Sequence, residues 1–203
     1  MTSIAIFGAG GRAGRAITAE AVSRGHTVTA VVREPARHPD LPSAVRGDVT
    51  DPESVAAIVR GHDAAVNAVS PASGPEELAR LDLDPEYFAK AADALVTSGV
   101  PRVVAVGLFS NLEGAGPLPE QFQAFARAHT AGLERLRESD ADWAMLTPPA
   151  LLSLEQPRLG RYRLGGETAE EGHLSYADLA VAVIDEIEKP TLHRARAAIL
   201  NAD

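Results

Sequence analysis

The chain switches repeatedly between two hydrophobic rhythms. Ser3-Ile4-Ala5-Ile6-Phe7 is a short apolar run, and Arg15 to Val22 then places its apolar residues at helical spacing. Thr27-Val28-Thr29-Ala30-Val31-Val32 is rich in β-branched residues and predicts a second strand. Ala44 to Val49 reads as a weak third strand. Thr50-Asp51-Pro52-Glu53 follows as a helix start, with Thr50 or Asp51 as cap and Pro52 in the first turn, and Ser54 to Val59 completes that helix. Asp63 to Pro71 is almost wholly small and apolar, the pattern of a fourth strand buried on both faces. Glu76 to Ser98 reads as helix interrupted at Pro85, with Leu78 to Asp84 as a candidate loop. Arg102 to Gly107 is a fifth strand, and Leu108 to Pro119 a loop. Glu120 to Glu138 is a long amphipathic helix, and Asp142 to Thr147 a sixth strand closed by Pro148-Pro149. In the tail, Tyr162 to Gly166 suggests a small strand and turn. Tyr176 to Ile187 reads as a helix capped by Ser175, with Asp178 reaching back as the acid of a capping box, and Ala195 to Leu200 as a last short strand. Strands alternating with helices predict an α/β fold with a doubly wound parallel sheet. Residues 1–203 are expected to form one domain, with 150–203 as a small C-terminal, substrate-side lid packed on the sheet.

The junction of the first strand and first helix carries the strongest chemical signal. Gly8-Ala9-Gly10-Gly11-Arg12-Ala13-Gly14 fits G-x-x-G-x-x-G on Gly8, Gly11 and Gly14, and G-x-G-x-x-A on Gly8, Gly10 and Ala13. Both patterns ask for the same physics. One glycine turns the chain off the strand, another lets main-chain N–H groups approach a pyrophosphate, and Gly14 lets the helix lie close on the sheet. The helix start then offers free N–H groups and the positive end of its dipole. A glycine motif after a strand and before a helix is the context in which dinucleotide binding is expected.

Composition narrows the rest. The 203 residues include no cysteine, which excludes disulfides, thiolate nucleophiles and cysteine metal sites and permits a reducing cytoplasm. A formal net charge of −9 makes nucleic acid a poor partner. No apolar run approaches the roughly 18 residues of a membrane span, and the first residues lack the basic stretch of a signal peptide, so a cytoplasmic location is expected. His26, His38, His62, His173 and His193 form no ligand spacing, and no metal site is expected. The partner is then a small molecule, and the chain a monomer or homodimer.

Arg33 leaves the second strand first, ahead of Glu34 and Pro35. An arginine there accommodates a ribose 2′-phosphate, and an acid binds the free hydroxyl, so NADPH is favoured while Glu34 keeps NADH possible. Asp48, at the end of the third strand, is either an adenine contact or a satisfied loop aspartate.

Taken together, Ile4 to Gly14, Val32-Arg33-Glu34-Pro35, Gly47-Asp48-Val49-Thr50-Asp51, Leu133-Glu134-Arg135-Leu136 leading to Asp142-Trp143, Thr147 to Ala150, Tyr162 to Gly166 and Ser175 to Ala180 resemble one family. The chain is similar, over nearly its whole length, to the small NmrA-like, atypical short-chain dehydrogenases that bind NAD(P)H. The group includes flavin reductase/biliverdin reductase B type proteins. The resemblance implies a Rossmann-like fold with cofactor contacts at Gly8, Gly10, Gly11, Arg12, Ala13, Gly14, Arg33, Asp48, Val49, Ala68, Val69, Gly107 and Pro148. Two departures stand out. The commonest family turn has threonine where this chain has Gly10. Catalytic short-chain dehydrogenases carry a Tyr-x-x-x-Lys pair before the sixth strand, and those positions fall here at Phe125 and His129. Tyr87-Phe88-Ala89-Lys90 is one residue too short for that motif and lies on another helix. The serine often found after the fifth strand is also displaced: Gly107-Leu108 stand there, with Ser110 slightly later.

With no tyrosine acid, a ketone reductase lacks its proton. A flavin or quinone fits better, because its reduced anion is delocalised and water can protonate it. His129 is the candidate acid, against the alternatives of a helix-surface histidine or one that holds the ribose. Ser153, Glu155 and Tyr162 are weaker candidates for a substrate pocket. The expected function is an NADPH-dependent reductase of a small planar acceptor. A non-catalytic NAD(P)H sensor of the NmrA kind is the rival, and a sugar-nucleotide epimerase or ketoreductase the third reading.

Overall fold

A computed structural model describes residues 1–72 and 74–202. The strands are β1 (Ser3–Phe7), β2 (Thr27–Val32), β3 (Ala44–Arg46), β4 (Ala64–Asn67), β5 (Arg102–Val106), β6 (Trp143–Thr147), β7 (Leu151–Ser153), β8 (Tyr162–Leu164), β9 (His173–Ser175) and β10 (Ala195–Asn201). The helices are α1 (Arg12–Ser23), α2 (Pro52–Val59), α3 (Pro75–Arg80), α4 (Tyr87–Thr97), α5 (Gln123–Glu138) and α6 (Tyr176–Glu188).

The main sheet has eight strands in the order β3-β2-β1-β4-β5-β6-β10-β8. All pair in parallel except the edge strand β8, which runs antiparallel to β10. Alternation along each strand divides the core in two, because successive side chains point to opposite faces. Ile4, Ile6, Val104 and Leu146 face α1 and α6, where Ile17, Ala21, Leu179 and Ile184 meet them. Ala5, Phe7, Val103 and Trp143 face the other way, against Val55 of α2, Leu95 of α4 and Leu133 of α5. This is the doubly wound α/β architecture the periodicity predicts. The strand order reverses between β1 and β4, so a crevice opens there at the carboxyl ends.

Several boundaries differ from the sequence reading. β4 stops at Asn67, the last residue in register with β5 opposite Ala105, and the chain from Ala68 to Pro71 leaves the sheet. β3 stops at Arg46. α3 runs on to Arg80, through part of the expected loop. A 3-10 turn over Glu120–Phe122 precedes α5.

The C-terminal segment divides into two parts. Within residues 151–175, β7 and β9 make a separate two-stranded sheet, while β8 between them returns to the main sheet as the edge strand beside β10. α6 and β10, by contrast, are built into the body: α6 packs beside α1, and β10 pairs with β6 as an interior strand. That half is cemented by charge. Arg102, 6% exposed, donates to Asp142 at 2.7 Å and to Glu186 at 3.0 Å, and Glu186 also accepts from the main chain of Thr191 and Leu192.

Candidate cofactor cleft

The cleft begins at the β1–α1 turn. Gly8 adopts a φ of +80°, which an L side chain rarely tolerates, and a Cβ there would lie 2.6 Å from the Ala68 carbonyl oxygen. A Cβ on Gly14 would lie 2.1 Å from the Gly8 carbonyl oxygen and 2.7 Å from Ala9 Cα, so glycine is what lets α1 sit on the turn. A Cβ on Gly11 would meet only the Gly8 carbonyl oxygen, at an ordinary contact distance of 3.4 Å. Gly11 caps α1 without a side chain, and the first turn holds no acid. Compare α2, where the Asp51 carboxylate accepts from the Glu53 N–H at 3.0 Å. The α1 start is left for an anion, as a diphosphate site requires.

Four sequence segments converge on one cleft of about 430 Å³. Gly8, Gly10 and Gly11 form one wall, and Arg33 enters from the end of β2. Asp48 and Val49 follow β3, and Ala68 and Val69 follow β4. Other expected contacts lie elsewhere. Arg12 carries its guanidinium 5.9 Å over the Tyr176 ring. Ala13 packs against the core, and Gly14 is buried beneath the turn. Gly107 and Pro148 are buried at the ends of β5 and β6, outside the lining of this cleft. Asp48 is the satisfied loop aspartate of the two readings for its Oδ1, which accepts from the Thr50 N–H at 2.9 Å and the Thr50 hydroxyl at 2.8 Å.

The cleft also includes Glu34, the acid that keeps NADH possible, and three residues not expected at the cofactor: Arg37, His38 and Tyr87. Arg37 sits at the end of the 3-10 turn Pro35–Arg37 and pairs with Glu34 at 2.9 Å. Its signal was available, since a second arginine one turn beyond Arg33 is visible in the sequence. Tyr87 starts α4 with Arg33 and Asp48 as its charged neighbours; burial raises its phenol pKa above the ordinary value, Arg33 opposes the shift and Asp48 adds to it.

At the position expected for the proton donor the structure shows an aromatic cluster instead. The His129 ring lies 3.7 Å from the Phe88 ring, centroid to centroid, and 4.7 Å from Phe125. Desolvation pushes its pKa down to about 3. Burial thus favours the neutral imidazole at physiological pH, which argues against the expected role of His129 as catalytic acid. The void beside it is only about 20 Å³. Gly132 seals the same region, since a Cβ there would lie 2.8 Å from Phe88 Cβ. Lys90 does not replace the missing lysine either: it is engaged with Asp84 at 2.6 Å. Tyr162 has Asp185 of α6 as a hydrogen-bond partner, and burial together with that carboxylate raises its pKa. Ser153 accepts from the Glu155 N–H at 3.0 Å. Neither bond points to a substrate pocket.

A glycine turn at the switch point of a parallel sheet, opening on an uncapped helix with arginines across the crevice, defines a dinucleotide-binding α/β protein. The chain belongs to the NAD(P)H-binding family, whose pattern it matches over residues 8–190. It is 32% identical over 199 residues to the uncharacterised Bacillus subtilis protein YwnB, covering 92% of each chain. A candidate exported protein from Burkholderia pseudomallei superposes with a TM-score of 0.82 at 33% identity, covering 98% of this chain and 100% of the other. A candidate NADH-flavin reductase from Streptococcus pneumoniae superposes with a TM-score of 0.81 at 28% identity, covering 100% of both. No helix among the described residues is long and apolar enough to cross a membrane.

Proposed function

We propose that this chain is an NADPH-dependent reductase that passes hydride to a small planar acceptor, a flavin or a quinone. One observation carries the reading: a single cleft has the open glycine turn on one wall and two arginines, Arg33 and Arg37, on another. The turn suits a diphosphate, and the guanidinium groups suit a ribose 2′-phosphate. Glu34, held on Arg37, is the group through which NADH would be accepted. Val49 and Tyr87 offer apolar surface to the adenine. The same reading places the protein in the cytoplasm, which a sequence without cysteine permits.

The bound nicotinamide supplies the hydride. The chain's part is to hold and orient it, and the neighbourhood of Phe125 and His129 provides no acid. A nascent alkoxide would stay unprotonated there, whereas a reduced flavin or quinone delocalises its charge and takes a proton from water. The description of the Streptococcus pneumoniae structure as a candidate NADH-flavin reductase agrees with this choice. The test is NADPH oxidation followed with riboflavin, FMN and a panel of quinones. Turnover with a planar acceptor supports the reading. Tight NADPH binding without turnover across the panel supports the rival, a non-catalytic dinucleotide sensor, which the closed aromatic cluster at His129 favours.

A further inference from the structure

Gly10 lies in the diphosphate turn, and the side-chain space it leaves empty is filled from another loop. A Cβ on residue 10 would stand 2.6 Å from both Cε1 and Nε2 of His38. His38 comes from the β2–β3 connection, is half-buried among exposed neighbours, and lines the cleft beside the arginines. Its ring is held by Arg15 of α1. The Arg15 Nε–H donates to the Gly10 carbonyl oxygen at 3.1 Å, and Nη2 lies 3.1 Å from His38 Nδ1. A further ion pair ties Arg15 to Asp40, two residues past His38.

That bond fixes the tautomer. A guanidinium has donors only, so Nδ1 of His38 must accept. The proton of the neutral ring is then on Nε2, the atom that stands over Gly10. Among the described residues no hydrogen-bond partner of Nε2 is found. The result is an N–H donor, oriented by its second nitrogen, delivered to the turn from across the cleft.

We propose that His38 is a cofactor-binding residue, admitted by the missing side chain of Gly10, whose Nε2–H donates to a phosphoryl oxygen on the adenosine half of the dinucleotide. The proposal rests on the reading that a nicotinamide dinucleotide occupies this cleft. It makes positions 10 and 38 a coupled pair. Gly10 does not adopt a left-handed φ, so alanine strains nothing in the main chain there. Its methyl group would instead push the imidazole aside, because the atoms it meets are the far end of a side chain.

The test is calorimetric titration of NADPH and NADH into the wild-type chain, His38→Ala, Gly10→Ala, the double variant and His38→Gln, with thermal melting of each free protein. His38→Ala and Gly10→Ala should each weaken NADPH about tenfold, the loss of one hydrogen bond to a charged group. The double variant should bind no more weakly than either single one, since both remove the same contact. His38→Gln, which keeps an N–H at similar reach, should recover most of the affinity, and melting temperatures should be unchanged. The NADH arm identifies the oxygen: an equal loss assigns it to the diphosphate, and undiminished NADH binding to the 2′-phosphate. Wild-type affinity in His38→Ala, or losses that multiply in the double variant, overturns the proposal. If the wild-type chain binds neither dinucleotide, the reading of the cleft fails with it, and that result appears in a separate arm.

Discussion

α1 and α6 lie side by side on one face of the sheet, but their first turns are finished in opposite ways. α1 starts at a glycine with no side chain to cap it and no acid in its first turn. α6 starts at Ser175, whose Oγ accepts from the Asp178 N–H at 2.9 Å while the hydroxyl donates to the Asp178 carboxylate at 2.7 Å. Asp178 is fully buried, and its carboxylate also accepts from the N–H groups of Leu159 at 3.0 Å and Gly160 at 2.7 Å. Polar groups near α6 are used up in holding the 159–160 loop. Those at α1 are kept for something the chain does not itself contain. A hydrogen bond already made inside a protein is unavailable to a ligand, so the unfinished helix marks the binding side and the finished one the structural side.

The comparison breaks most visibly at Asp178. Replacing it by alanine leaves the buried Ser175 hydroxyl without its acceptor, worth about 1–3 kcal/mol, while the N–H groups of the exposed Leu159 and Gly160 can turn to water. Asp178→Ala should therefore destabilise the chain by up to about 3 kcal/mol in chemical denaturation. NADPH affinity of the remaining folded protein should hold. An affinity loss matching the stability loss would mean that the two helix starts are not separable.

Gly14→Ala attacks the other side. Its methyl group meets main-chain atoms of Gly8 and Ala9 rather than a movable side chain. Overpacking of this kind costs about 1–3 kcal/mol. Here the two readouts should move together, with a lower melting temperature and weaker NADPH and NADH alike. Retained affinity for both would remove the turn from the binding site.

The binding side was the more legible in sequence, for a physical reason. A strand, a glycine turn and a helix are local, so their chemistry can be read along a few consecutive residues. Arg33 and the small apolar strands were equally visible. What stayed hidden depended on contacts between distant segments. Asp178 reads as a local capping acid, yet its carboxylate also serves the 159–160 loop. β10 reads as a strand, but nothing nearby says that it pairs with β6 inside the sheet. His129 falls where a ribose-holding lysine is expected, and only the approach of Phe88 from α4 turns it into a packed neutral ring. His38 carried no signal, because its neighbour is Gly10 in another loop.

Arg33→Ala sharpens the binding side without touching the fold. Arg33 is exposed, so melting should be unchanged. Loss of a charge-assisted contact should cost NADPH about 1.5–3 kcal/mol, roughly tenfold or more in Kd, while NADH changes little. Equal losses for the two cofactors would remove the argument for NADPH.

The smallest expected effect tests whether His129 belongs with the packed groups. Its pKa falls from 6.5 to about 3 in the folded chain because the ring is desolvated. Between those values the unfolded state binds the proton and the folded state does not, so stability falls as pH drops below 6.5. One group in this condition contributes at most about 1.4 kcal/mol per pH unit, less here because solvent reaches part of the residue. The slope should be visible from pH 6.5 downward, before the carboxylates titrate near about pH 4. His129→Leu should flatten it and leave NADPH oxidation by a planar acceptor in place. A slope that persists in the variant would show that it comes from other groups and that the folded chain does not shift His129 as described. Lost turnover with intact cofactor affinity would restore His129 as the proton source and move it from the structural side of the molecule to the reacting one.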